Sequence, residues 1–194
     1  AFPNVSLKVM EGYSGHVLEW LTTARLDVAV LYDTPNLKGK TLRTDPILSD
    51  ELFLIGSPKD PSRIGNGPVR AAHLAEIPLV LPSRPHGIRI LVDEAMDHNG
   101  LTANVQMEID AMHSMIALAE SGLGYTVLSY SSVRDLVMAK RVRIWRIVDP
   151  VIKRRKSALR APLRACANKY NGRTRSSTDR RSRIFFHVSF FSTS

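Results

Sequence analysis

Few side chains in this sequence are spaced for covalent or metal chemistry. His16, His73, His86, His98 and His113 are scattered, and no two stand four apart, as a helical zinc pair requires. Asp93 and Asp97 lie one helical turn apart beside Glu94, but no histidine or further carboxylate completes a ligand set, so a solvated helix face is the simpler reading. Cys166 is the single cysteine, which excludes an internal disulfide framework and a cysteine-based zinc site and fits a reducing compartment. It also lies in an irregular stretch unsuited to a catalytic thiolate. Gly122-x-Gly124 lacks the third glycine and the preceding strand of a dinucleotide loop, and reads as a helix terminator. No Gly-x-Ser-x-Gly elbow or Walker loop occurs. Nothing here supplies a positioned nucleophile or an acid/base pair, and the expectation is a protein that binds rather than catalyses.

What remains are polar residues at the ends of apolar runs, and these depend on the elements that carry them. Val5, Leu7 and Val9 alternate as a half-buried strand does. Ser14 can cap a helix whose apolar face is Val17, Leu18 and Leu21. Val28 to Tyr32 is continuously apolar, which predicts a strand buried in a parallel sheet. Residues 33–45 read as a loop, 52–55 as a buried strand, 57–68 as a loop and 71–75 as a short helix. From Pro78 the pattern is more regular. Leu79-Val80-Leu81 predicts a strand, and Ile88, Leu91, Val92, Ala95 and Met96 a helix. Val105, Met107 and Ile109 alternate, Met112, Met115, Ile116 and Ala119 form a helical stripe, and 125–128, 133–137 and 142–147 continue as strand, helix and strand. Two α/β lobes follow, divided at 77/78, with 78–148 as the second lobe and 149–155 returning to the first.

Open α/β sheets hold ligands at the carboxyl ends of their strands. That rule selects Tyr32, Asp33 and Thr34 after one strand, Pro82, Ser83 and Arg84 after another, Asp110, Ala111 and Met112 after a third, and Ser129 and Tyr130 after a fourth. If the lobes face one another, these groups line a shared cleft. Ser83 and Asp110 fall near helix starts, where free N–H groups favour an anion. Plain helix capping explains the two residues equally well, and Met112, Met115 and Trp20 fit a core better than a ligand cage.

Composition bounds the rest. The chain has 194 residues, 44% hydrophobic and 23% charged, which is ordinary for a globular protein. No apolar run approaches the roughly 18 residues of a membrane helix, and the opening Ala1-Phe2-Pro3-Asn4 has no signal-peptide pattern. Asn4-Val5-Ser6, a formal glycosylation acceptor, then carries no meaning. The formal net charge of +9 is unevenly spread. Residues 153–194 hold twelve Lys and Arg against Asp179 alone, while 1–152 carry fifteen basic and seventeen acidic residues. The body is therefore near neutral and is not expected to be a nucleic-acid surface. The segment 156–194 reads as a basic, solvated, non-native tail, and its apolar end from Ile184 to Phe191 has no evident partner.

Phe2 to Gly12, Leu18-Glu19, Leu26 to Val30, Leu74 to Pro82, Glu108-Ile109-Asp110 and Ser121 to Tyr125, in this order and spacing, resemble the effector-binding domain of LysR-type transcriptional regulators from residue 2 to about 155. Leu81-Pro82-Ser83, Ile88-Arg89 and Val92 to Ala95 are similar to the branch containing the nitrogen assimilation control protein. The resemblance implies a two-lobed α/β fold of the type II periplasmic-binding-protein kind with a small anionic or aromatic effector between the lobes. It implies a cytoplasmic homodimer or tetramer and DNA contact through a winged helix-turn-helix domain absent from this chain, with no membrane partner and no cofactor. Family effector contacts map onto Tyr32, Thr34, Pro82, Ser83 and Asp110 to Met112. Three departures qualify it. The first lobe lacks its opening strand and helix and is expected to be incomplete and to expose apolar surface. Ser129 stands where the family usually has proline, and the pattern dissolves after Arg154. A periplasmic-type solute-binding protein would share the fold and is the alternative.

Overall fold

A computed structural model of the chain describes residues 5–10, 14–32, 42–59, 64–160 and 182–186. Two compact units emerge: Ala1–Leu48 together with Arg155–Ser194, and Ser49–Arg154. The division falls at 48/49 and not at the expected 77/78. Residues 49–77 contribute a long strand, a two-residue strand and a 3-10 turn to the same core as the elements after Pro78.

The first unit opens with β1 (Val5–Val9) and α1 (Ser14–Thr22), followed by β2 (Val28–Tyr32). Helix α1 buries Val17, Leu18 and Leu21, which cluster with Leu26, Ala29, Leu31 and Leu159. Whether Ser14 caps the helix lies outside the described side chains. Strand β2 pairs antiparallel with residues 156–160, not in the expected parallel arrangement. Its continuous apolar character comes instead from one fully buried face, Ala29 and Leu31, and a half-buried opposite face, Val28 and Val30.

Strand β3 (Arg43–Gly56) starts inside the predicted loop and carries the chain from the first unit into the second. Its first half is exposed and its second half buried, so the sequence displays only 52–55 as a strand.

The second unit is built around that buried half. β7 (Thr126–Ser129) and β8 (Arg143–Val148) pair antiparallel with β3, and β4 (Val69–Arg70) adds in parallel beyond β8. On the other side, β5 (Leu79–Leu81) joins β7 through a parallel bridge between Leu79 and Tyr125, and β6 (Val105–Glu108) runs parallel to β5. Helices α2 (Gly87–Asp97), α3 (Met112–Ser121) and α4 (Arg134–Met138) fill the connections. Strand and helix thus alternate from 79 to 148 as the periodicity predicts.

Tyr125 is fully buried and meets Trp145 edge to face, with centroids 5.8 Å apart. The ring lies so close to Gly56 that a Cβ there would fall 2.5 Å from its Cδ1, which only glycine permits. Gly122 ends α3 with φ of +80°, as expected of a terminator. Gly124 has a different role: a Cβ would sit 2.8 Å from Val80 Cγ2, so its small size lets β7 approach β5.

The chain returns through β9 (Lys153–Arg160), so residues 156–160 are strand and not tail. Ser182–Phe186 forms β10, parallel to β1, which gives part of the apolar terminus the partner that the sequence did not reveal. Cys166 and the segments flanking β10 lie outside the described residues. Exposed large apolar side chains are Val9, Ile47 and Leu48 in the first unit and Leu101, Leu123, Tyr130 and Met138 in the second. Among the described residues, apolar exposure therefore does not set the first unit apart.

Candidate functional site

Two strand ends converge in the second unit. β5 and β6 are parallel neighbours with Leu81 opposite Glu108, and the Ile109 N–H donates to the Leu81 carbonyl at 2.9 Å. The next residues on each strand are therefore brought side by side. The Ser83 N–H donates to Asp110 Oδ1 at 2.9 Å, and the Ser83 hydroxyl lies 2.7 Å from both carboxylate oxygens. The Ser83 hydroxyl and then its N–H hold the Asp110 carboxyl below its ordinary value. Asp110 is exposed, so the ionised carboxylate keeps lone pairs available to solvent or a ligand.

Neither residue is the helix cap that the sequence allowed. His86 caps α2, its Nδ1 accepting from the Ile88 N–H at 3.2 Å, and Ala111 occupies the cap position of α3 without a side-chain bond. An accepting Nδ1 requires neutral imidazole with its proton on Nε2. Burial keeps His86 neutral by lowering its pKa, and the Arg154 charge adds to this while Asp110 opposes it.

Below the two strand ends lies a charged cluster. Arg89 is only 6% exposed. Its Nη1 donates to Glu108 Oε1 at 2.6 Å and to the Pro82 carbonyl at 3.4 Å, and its Nε donates to Asp93 Oδ1 at 3.1 Å. Burial works against its charge, but the bonds to Glu108 and Asp93 outweigh burial and raise its pKa. Asp93 also receives Arg84 at 2.7 Å, so it is a paired residue and not part of a solvated face; Glu94 and Asp97 remain exposed. No cluster of three or more potential metal ligands occurs among the described residues.

The remaining predicted positions separate. Pro82 is buried, Ala111 exposed, and Met112 packs in the main core. Ser129 ends β7, on the same side of the sheet as Ser83 and Asp110, and its hydroxyl lies 3.0 Å from those of Ser131 and Ser132. Tyr32 belongs to the first unit, buried at the end of β2 with the Lys156 ammonium 4.7 Å from its ring centroid. Thr34 lies outside the described residues. The sequence reading did not select His86, Arg89 or Glu108. The i, i+4 pair of Arg89 with Asp93 was the one signal that could have drawn attention to them.

The LysR substrate binding domain matches residues 1–165. The chain is 32% identical over 149 residues to the nitrogen assimilation regulatory protein nac of Escherichia coli (strain K12), covering 77% of this chain and 47% of that protein. It thus spans about half the length of the curated relatives it matches. Among solved structures, the CcmR regulatory domain of Synechocystis PCC6803 in complex with 2-PG superposes with a TM-score of 0.67 at 17% identity, covering 91% of this chain and 79% of that one. The effector-binding domain of QuiR in complex with shikimate gives 0.66 at 15%, covering 81% and 76%. The fold is the mixed α/β, type II periplasmic-binding-protein-like architecture of such regulatory domains. The chain belongs to the LysR substrate-binding domain family, the effector-binding domain of LysR-type transcriptional regulators. No helix among the described residues is long and apolar enough to cross a membrane.

Proposed function

We propose that this domain senses a small metabolite and performs no chemistry on it. Pro82, Ser83, Asp110, Ala111 and Met112 form one set of contacts, with the backbone of the buried positions serving where side chains do not. Tyr32 and Thr34 form a second set. The observation that carries the reading is the pairing of Ser83 with an ionised, exposed Asp110 at two parallel strand ends. An ionised carboxylate with open lone pairs favours a ligand hydroxyl or ammonium group at that point and repels an anion. Any anionic part of the effector therefore binds away from Asp110.

Binding acts by population shift: an effector that prefers one conformer tenfold changes the equilibrium by about 1.4 kcal/mol. In the whole regulator, a cytoplasmic homodimer or tetramer, this alters DNA occupancy through a winged helix-turn-helix domain outside these 194 residues. Titration calorimetry with shikimate and a series of small hydroxylated acids, amino acids and sugar phosphates tests the reading. A compound that stabilises the chain should bind Ser83→Ala and Asp110→Ala about tenfold or more weakly, consistent with about 1.5–3 kcal/mol for a hydrogen bond to a charged group. Unchanged affinity in both variants would remove the site assignment.

A further inference from the structure

The Pro82 carbonyl and the Ser83 N–H belong to one peptide group, and the structure holds that group at both ends. Arg89 Nη1 donates to its oxygen in a long bond of 3.4 Å, and its N–H donates to Asp110 at 2.9 Å. A trans peptide is planar, with its C=O and N–H pointing in opposite directions, so fixing the oxygen fixes the direction of the N–H. The same Nη1 binds Glu108, two residues before Asp110. One buried guanidinium therefore ties the peptide that donates to the strand that carries the acceptor. Asp93 completes its coordination from within α2.

We propose that Arg89 is a positioning residue that aims the Ser83 N–H and sets its register with Asp110, with Glu108 and Asp93 holding the guanidinium in place. The planar fork of arginine is suited to this because it reaches three acceptors in fixed directions, whereas the single ammonium of lysine does not. The inference rests on the reading of Ser83 and Asp110 as ligand contacts for its functional meaning. Its physical content concerns the unliganded protein. An effector that donates to Asp110 then meets an acceptor already held in place by Ser83, and the ordering cost of binding falls.

The test needs no ligand, so its failure is distinguishable from a failure to find an effector. Amide hydrogen exchange is measured by nuclear magnetic resonance on the full chain and on Arg89→Lys. The Ser83 amide should exchange at least about tenfold faster in the variant. The Val80 and Ile109 amides, bonded to the Tyr125 and Leu81 carbonyls, should keep their rates within about twofold. The Asp110 carboxyl should also titrate closer to the ordinary carboxylate range, because its Ser83 donors are loosened. A purely structural role for Arg89 would accelerate all three amides together, and that result overturns the proposal, as does an unchanged Ser83 rate. If Arg89→Lys does not fold, Glu108→Ala, which removes the acceptor, decides: a selective acceleration at Ser83 supports the assignment, and an unchanged rate overturns it.

Discussion

The two units solve the problem of building a core in different ways. Residues 49–154 form one continuous segment in which strands and helices alternate, and their apolar faces meet in a cluster running from Leu52 to Ile152. The other unit draws on two distant segments, and its described core is the small set of Val17, Leu18, Leu21, Leu26, Ala29, Leu31 and Leu159. Its strands find partners more than a hundred residues away: β2 pairs with β9 and β1 with β10. Local connections make the second unit legible in sequence and place Ser83 and Asp110 close together. Long-range pairing makes the first unit depend on segments whose pairing no local pattern announces, and closing such long loops carries a larger entropy cost.

The largest expected effect tests this difference directly. Leu54→Ala, at a fully buried position of β3, should cost about 2–5 kcal/mol. Leu159→Ala, in the smaller cluster, should cost about 2–3 kcal/mol, the lower part of that range, because a small core can collapse around the gap. Differential scanning calorimetry of both variants should show that each lowers the stability of its own unit more than the other. Equal displacement of a single shared transition would break the comparison and make the chain one cooperative body.

Two pH effects sharpen the account of the second unit. His86 has a folded pKa below its ordinary 6.5, so the folded protein binds fewer protons than the unfolded chain in that window. The stability from neutral His86 is present above pH 6.5 and is lost as pH falls through the folded value. His86→Asn keeps an accepting cap and should remove this loss in urea titrations at successive pH values. Asp110 behaves in the same sense at lower pH. Its stabilising charge is present above the ordinary 3.8 and disappears as pH falls through the depressed folded value, and Asp110→Asn should flatten that limb.

The smallest effect is expected at the surface. Arg141 forms a bidentate pair with Glu120 at 2.7 and 3.0 Å. Exposed pairs contribute little and are screened by salt. Arg141→Gln should shift thermal unfolding less than either core variant, and the difference should vanish in about 1 M salt.

The order of elements from Leu79 to Val148 was readable because each element buries one face, and burial imposes a period of 2 or 3.6 on the sequence. The nearness of Ser83 and Asp110 follows from that order, since neighbouring parallel strands end on the same side. The sequence by itself also determined the family, through the order and spacing of phrases from Phe2 to Arg154. Tertiary structure alone decided the antiparallel partner of Val28–Tyr32, the exposed half of β3 and the pairing of β10 with β1, because strand partners are chosen by contacts between distant segments. It also decided that Ser83 and Asp110 bind each other instead of capping helices, and that Arg89 is buried beneath them. A hydroxyl, a carboxylate and a guanidinium can each be satisfied by several partners, and only the assembled fold determines which one lies within hydrogen-bonding distance.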